Sequence, residues 1–225
     1  MKINSKAIKS ESNKIAVIIC SNDGTGMHLD NILRADSVLS DKGFKEIRIF
    51  YKTAKSEMVN FFKSIEQELT PEDVLFVYMT GHGGLMMARE RLSNYSEIES
   101  YAMISFVDIT NKETVNEIEF SDWLKNIKSK KICVFDQCYG GGFARRAAEE
   151  SGALAISAGR ENEITYGNFF PTTFFDSLVL PIGRRNEKIS LKKAFEITLK
   201  NINYNIYQKQ RPIILPISLA EEIKI

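Results

Sequence analysis

The chain has 225 residues, 44% of them hydrophobic and 26% charged, with a formal net charge of +1. That size suits one globular domain with a sizeable core, and the even charge balance argues against nucleic acid or an anionic membrane as the main partner. Three cysteines are too few, and odd in number, for a disulfide framework, which points to a reduced, cytoplasmic setting.

Residues 1–13 read as a polar tail with no apolar run long enough for a signal peptide. No stretch reaches the roughly 18 apolar residues of a membrane-spanning helix. Residues 14–225 are expected to form a single domain. "KIAVIIC" (14–20) is a β-branched apolar run that fits a strand buried on both faces. "LDNILRADSVLSDKGF" places Leu29, Ile32, Leu33, Ala35 and Val38 near helical spacing, and Gly43 can end that helix. "KEIRIF" alternates like a strand. "SEMVNFFKSIEQEL" predicts a helix capped by Ser56. "VLFVYM" (74–79) is a second fully apolar strand, followed by "TGHGG". Residues 101–109 suit a strand or hairpin arm, and "SDWLKNIKS" a short helix capped by Ser121. "KICVFD" (131–136) is a third apolar strand, "FARRAAEE" a helix and "ALAISA" (153–158) a fourth strand. Two further helices, "FPTTFFDSLVL" and "SLKKAFEITLKNINYNIYQKQ", precede "RPIILPI", a last strand whose prolines mark an edge. The alternation predicts an α/β sandwich around a mostly parallel sheet.

Two of these strands end in reactive groups. In open α/β sheets ligands bind beyond the carboxyl ends of the strands. "VLFVYMTGHGG" carries His82 there, and "ICVFDQC" carries Cys138. If the strands are parallel neighbours, both side chains reach one rim. Cysteine attacks as the thiolate, and an adjacent imidazole can take the thiol proton and later protonate a leaving amine. The tetrahedral intermediate needs backbone donors, for which the amides of Gly83 and Cys138 are the candidates. Glycines beside His82 and after Cys138 let backbone approach a substrate closely. Cys20 and Cys133 sit inside apolar runs and read as core residues. His28, after the first strand, is the rival histidine.

"FVYMTGHGG" followed by "VFDQCYGGGF" resembles the histidine and cysteine motifs of the caspase-like (clan CD) cysteine peptidases, which include caspases, metacaspases, legumains, clostripain and gingipains. "LDNILRADSVLSDKGFKEIRIFY" resembles the first helix and second strand of legumain-type (C13) members. "ISAGRENEITYG" resembles the segment that lines their primary specificity pocket, and "QKQRPIIL" their last strand. The resemblance implies a caspase-like α/β/α sandwich with a mostly parallel central sheet and a Cys–His dyad without metal or cofactor. His82 would be the base and Cys138 the nucleophile, with oxyanion donors from Gly83 and Cys138. The chain departs from legumains at Gly81, where they carry an acid, and at Asp136, where they carry glutamate. It departs from metacaspases at Tyr139, where they carry histidine.

In this group the position two before the nucleophile lines the primary pocket, and here it is Asp136. A carboxylate in a partly desolvated pocket favours a cation, so cleavage of protein or peptide substrates after Arg or Lys is expected. The alternative for Asp136 is a strand-end carboxylate that caps backbone or orients Cys138. Asp30, Ser157, Glu161, Glu163 and Asn168 are further candidates for the pocket. Residues 85–100 are a candidate mobile insertion, in which Arg89 and Arg91 suit self-processing; an activating protein partner is the other route, and an ordered hairpin the alternative. The competing functions are a legumain-like Asn-specific peptidase or ligase, and a non-catalytic caspase-like module that signals by binding.

Overall fold

The computed structural model describes residues 12–20, 28–91, 99–110, 113–179, 189–203 and 210–225. The polar tail at 1–11, the loop at 21–27 and residues 92–98 of the expected insertion lie outside them, as do 180–188 and 204–209.

The apolar runs form the centre of the sheet. β1 (Lys14–Cys20), β2 (Glu46–Tyr51), β3 (Val74–Thr80), β7 (Lys130–Phe135), β8 (Leu154–Ser157) and β9 (Ile213–Leu215) make six strands in the order β2-β1-β3-β7-β8-β9. Every neighbouring pair is parallel except β8 with β9. The edge position of β9 suits Pro212 and Pro216, since neither can donate to a ladder. Three further strands, β4 (Gly83–Arg91), β5 (Glu99–Asp108) and β6 (Thr114–Asn116), form a separate antiparallel sheet. The segment 85–100 therefore contributes paired strand at 85–91 and 99–100.

The period-two alternation of the strands divides the core into two layers. Ile18, Tyr78, Val134 and Ile156 face α1 (Leu29–Asp41), α5 (Phe169–Leu178) and α6 (Leu191–Asn203). Val17, Val77, Cys133 and Ala155 face α2 (Lys55–Glu68), α3 (Glu117–Lys125) and α4 (Gly140–Ser151). A short α7 (Ile217–Glu222) closes the chain. The result is the expected α/β/α sandwich. Phe62, Phe120, Phe135 and Phe143 pack ring to ring in the second layer, and fully burying one such side chain contributes about 1.5–3 kcal/mol.

Helix ends correct three expectations. Ser56 does not cap α2: the preceding Ala54 stands at that position, and the Lys55 N–H donates to the Glu113 carboxylate instead. Ser121 lies buried inside α3. That helix starts earlier because Asn116 and Glu119 form a capping box, each side chain accepting from the other's backbone N–H. In α1, Leu29 and Leu33 are exposed, while Ile32, Ala35, Val38 and Leu39 carry the buried stripe. Gly43 follows α1 with φ +80°, the left-handed turn that favours glycine.

Candidate active site

β3 and β7 are parallel neighbours, and their last register pair is Met79 with Phe135. His82 and Cys138 each lie three residues beyond that pair, at the carboxyl end of the sheet. A further backbone bond from the Asp136 N–H to the Met79 carbonyl keeps the two strands together past it. The chain after His82 then meets the chain at Cys138. A Cβ added at Gly83 would stand 2.1 Å from the Cys138 carbonyl oxygen and 3.1 Å from Cγ of Gln137. Only a residue without Cβ allows this approach.

The Asp108 N–H donates to the His82 carbonyl at 2.9 Å, which anchors the start of β4 to the end of β5. Gly83 pairs with Val107, the next position of that ladder. Hydrogen-bonded and non-bonded pairs alternate in an antiparallel ladder, so the Gly83 N–H is directed away from β5. The His82 side chain is exposed and Cys138 is half-buried.

Cys138 is enclosed by a residue that the sequence reading passed over. The Thr165 N–H lies 3.3 Å from Sγ, its hydroxyl 3.8 Å, and its carbonyl oxygen 3.7 Å. The same hydroxyl donates to the Asp136 carbonyl at 2.9 Å. Thr165 belongs to the loop after β8, which packs directly on the glycines that follow Cys138. Tyr139, in the left-handed region at φ 61°, donates its N–H to the Glu163 carbonyl at 2.7 Å. A Cβ at Gly141 would stand 2.3 Å from the Glu161 backbone nitrogen, and one at Gly140 would stand 2.8 Å from the Ser157 hydroxyl. Gly141 thus serves a backbone-to-backbone contact, and Gly140 a close contact with the side chains of Ser157 and Phe135. A non-glycine residue in the left-handed region costs about 1–2 kcal/mol, and here the loop holds it.

Asp136 extends the alternation of Ile132 and Val134 onto the α1–α5 face, where Tyr78 and Thr80 of β3 also lie. It is 8% exposed. Its carboxylate accepts from the Tyr78 hydroxyl at 2.5 Å and from the Thr80 hydroxyl and the Gly81 N–H. Burial pushes its pKa up to about 7, against the three donors, which favour the ionised form. Burial and the adjacent carboxylate raise the Tyr78 phenol well above its ordinary value, so it stays a donor. His28, the N-cap residue of α1, reaches the same cluster. Its Nδ1 lies 3.4 Å from the Thr80 hydroxyl, and its ring meets the His82 ring edge-on at 5.7 Å between centroids.

The other pocket candidates are placed as follows. Ser157 is fully buried and its hydroxyl donates to the Gly159 carbonyl. Glu163 accepts from the Arg160 N–H and pairs with Arg211. Exposed Glu161 pairs with Arg145. Both carboxylates brace the loop over Tyr139 and Gly141. Asn168 accepts from Asn31 at the start of α5, and Asp30 is exposed in the first turn of α1. The signal for Tyr78 and Thr80 was present in the sequence: residues 78 and 80 share one face of β3, at the end that leads to His82. Thr165 left no such signal, because nothing in a loop sequence fixes how it folds back on a strand end.

Comparison with curated proteins finds no matching sequence. Among solved structures, the fold is similar to caspase-1 from Spodoptera frugiperda, with a TM-score of 0.64 at 13% identity over 90% of this chain and 86% of that one. It is also similar to a Geobacter sulfurreducens protein, with a TM-score of 0.55 at 12% identity over 90% of this chain and 93% of that one. At such identities the likeness is one of fold. The model of the peptidase C13 family matches residues 49–197, which include both strand ends described above. The chain therefore belongs to the peptidase C13 family and is a cysteine peptidase of the caspase-like fold.

Proposed function

We propose that the chain is an endopeptidase in which Cys138 is the nucleophile and His82 the general base, and that it cleaves after arginine or lysine. The observation that carries this is the shared rim: His82 and Cys138 stand equally far beyond one register pair, and Gly83 rests against the Cys138 carbonyl. His82 takes the thiol proton, and the thiolate attacks the scissile carbonyl. The N–H groups of Gly83 and Cys138 receive the developing oxyanion. The imidazolium then gives its proton to the leaving amine. Water, deprotonated by His82, cleaves the thioester and restores the thiol. The amino end of α4, two residues after Cys138, favours negative charge in its neighbourhood.

Asp136 supports the basic preference. Its carboxylate is buried at the base of the same rim, and a guanidinium or ammonium brought against it would favour its ionised form. At neutral pH the unoccupied carboxyl is divided between its two forms, so acidification below about 7 weakens the attraction for a cation. Asn-directed cleavage lacks that pH dependence. The test is a set of peptides differing only in the residue before the cut, with Arg, Lys, Asn or Asp there, each at pH 6 and pH 8. Arg and Lys should lead at pH 8 and lose ground at pH 6. Faster turnover of the Asn peptide at both pH values would replace this reading with the legumain-like one. Equal turnover by wild type and Cys138→Ala would remove the nucleophile.

Self-processing at Arg89 or Arg91 would require part of the second sheet to open. Both residues lie in the β4–β5 ladder, opposite Tyr101 and Glu99, and a paired strand cannot also enter a protease cleft in extended form.

A further inference from the structure

The Thr80 hydroxyl is hydrogen-bonded to the Tyr78 hydroxyl within its own strand and also stands between two groups of unlike role. On one side is the Asp136 carboxyl, to which it donates. On the other, 3.4 Å away, is Nδ1 of His28, whose ring lies edge-on against His82. Thr80 is fully buried. A hydroxyl has one proton and two lone pairs, so the direction of this bridge is set by its neighbours. The titratable groups around it come from every element that meets there: Cys20 ends β1, Tyr78 lies in β3, His82 follows β3, Asp136 and Cys138 follow β7, and His28 precedes α1. Asn168, the N-cap residue of α5, is neutral and accepts from Asn31 of α1, while the charged Asp176 of α5 pairs with Arg34 of α1.

We propose that Thr80 and His28 are positioning residues that report the charge in the specificity pocket to the imidazole of His82. This rests on the assignment of Asp136 and the dyad given above. With a cation against Asp136 the carboxyl is ionised, and the Thr80 proton must point to it. The Thr80 oxygen then accepts, and His28 must present Nδ1 as N–H, with its other nitrogen unprotonated if the ring is neutral. With Asp136 protonated, the Thr80 proton can turn to Nδ1, and His28 carries its proton on Nε2. The ring that borders His82 thus has two hydrogen-bonded states, selected by whether a cation occupies the pocket. A correct substrate sets the surroundings of the base, and a neutral one leaves them in the other state. The bridge binds no substrate itself, so its loss is felt in kcat more than in KM.

The test compares a peptide with arginine before the cut against the same peptide with citrulline, which has nearly the shape of arginine without its charge. Thr80→Val should lower kcat for the arginine peptide about tenfold, the scale of a lost hydrogen bond to a charged group, a larger change than the rise in KM that follows from removing one of the three donors to Asp136. The citrulline peptide should lose less than the arginine peptide, and Thr80→Ser should restore the arginine rate. Equal losses on both peptides, or none on either, would overturn the proposal while leaving the peptidase and its specificity intact. A wild type that prefers Asn or Asp peptides would remove the specificity reading and this inference with it. A second measurement does not depend on turnover. The chain has only two histidines, so imidazole ¹⁵N spectra of the Cys138→Ala protein resolve each ring. Benzamidine, as a cationic probe, should move His28 to the Nδ1–H form, and should fail to do so once Thr80→Val is added. A His28 ring that ignores benzamidine in the Thr80 protein contradicts the proposal.

Discussion

Cys133 and Cys138 leave one short stretch of chain, yet their surroundings differ in almost every respect. Cys133 lies inside β7, fully buried, with Val77 and Ala155 beside it on the neighbouring strands. Burial pushes its thiol up to about 12, so it remains a small apolar side chain. Cys138 lies past the end of the same strand, half-buried, with the backbone and hydroxyl of Thr165 around its sulfur and the His82–Gly83 turn beside it. The strand interior denies a thiol both water and polar partners, whereas the strand end supplies them. The chemistry of a cysteine here follows from where pairing stops.

Substitutions at the two positions should separate most widely. Cys138→Ala should lower peptide turnover by about a thousandfold or more, the scale of removing a catalytic nucleophile, while leaving the fold intact by circular dichroism. Cys133→Ala should leave kcat/KM unchanged and lower the unfolding free energy by about 1 kcal/mol in a urea titration, as expected for a small core truncation. Loss of turnover in the second variant and not the first would reverse the comparison. His82→Ala should cost about a hundredfold or more in kcat, within the range for a general base.

Asp136 sharpens the contrast, because it is a buried polar group at the strand end. Asp136→Asn preserves its volume and removes its charge. It should reduce the preference for arginine over citrulline peptides by about tenfold or more. The sign on stability is opposite to that of an ion-paired carboxylate. The folded protein holds a proton to about pH 7 that the unfolded chain has already released in the ordinary carboxylate range. Unfolding free energy contributed by this group is therefore highest in acid and falls as pH rises towards 7. Urea midpoints at pH 5 and pH 7.5 should show that fall in wild type, and Asp136→Asn should flatten it.

The last comparison concerns the glycines. Gly141→Ala forces a methyl group against the Arg160–Glu161 backbone and should cost about 1–3 kcal/mol, as overpacking does, with turnover falling as the Thr165 loop shifts. Gly152→Ala meets no atom within 4 Å, and its φ of +67° leaves only the left-handed backbone cost. A scan in which Gly152→Ala is the more damaging to turnover would contradict the role given to the loop.

Much of this arrangement was legible in the sequence because it rests on short continuous apolar runs. The four apolar runs identified the central strands, and His82 and Cys138 fall just past the ends of two of them. The prolines around "IIL" marked an edge strand, and β9 is one. What was not legible depends on contacts between distant segments. Ser56 has the right chemistry for a cap, but a carboxylate from Glu113, far along the chain, takes the backbone N–H of the helix start. Ser157, Glu161 and Glu163 fall in the expected segment, yet their side chains meet Gly159, Arg145, Arg160 and Arg211. Thr165, two residues after Glu163, is the one that reaches the sulfur.

The central claim is that Cys138 and His82 act together at one rim. Alkylation of the native protein by a peptidyl-arginine chloromethyl ketone, mapped by mass spectrometry, tests it most directly. One adduct is expected, on Cys138, formed many times faster than on a simple thiol and slowed severely by His82→Ala. Labelling at Cys20 or Cys133 in its place, or labelling of Cys138 at the same rate with and without the imidazole, would contradict it.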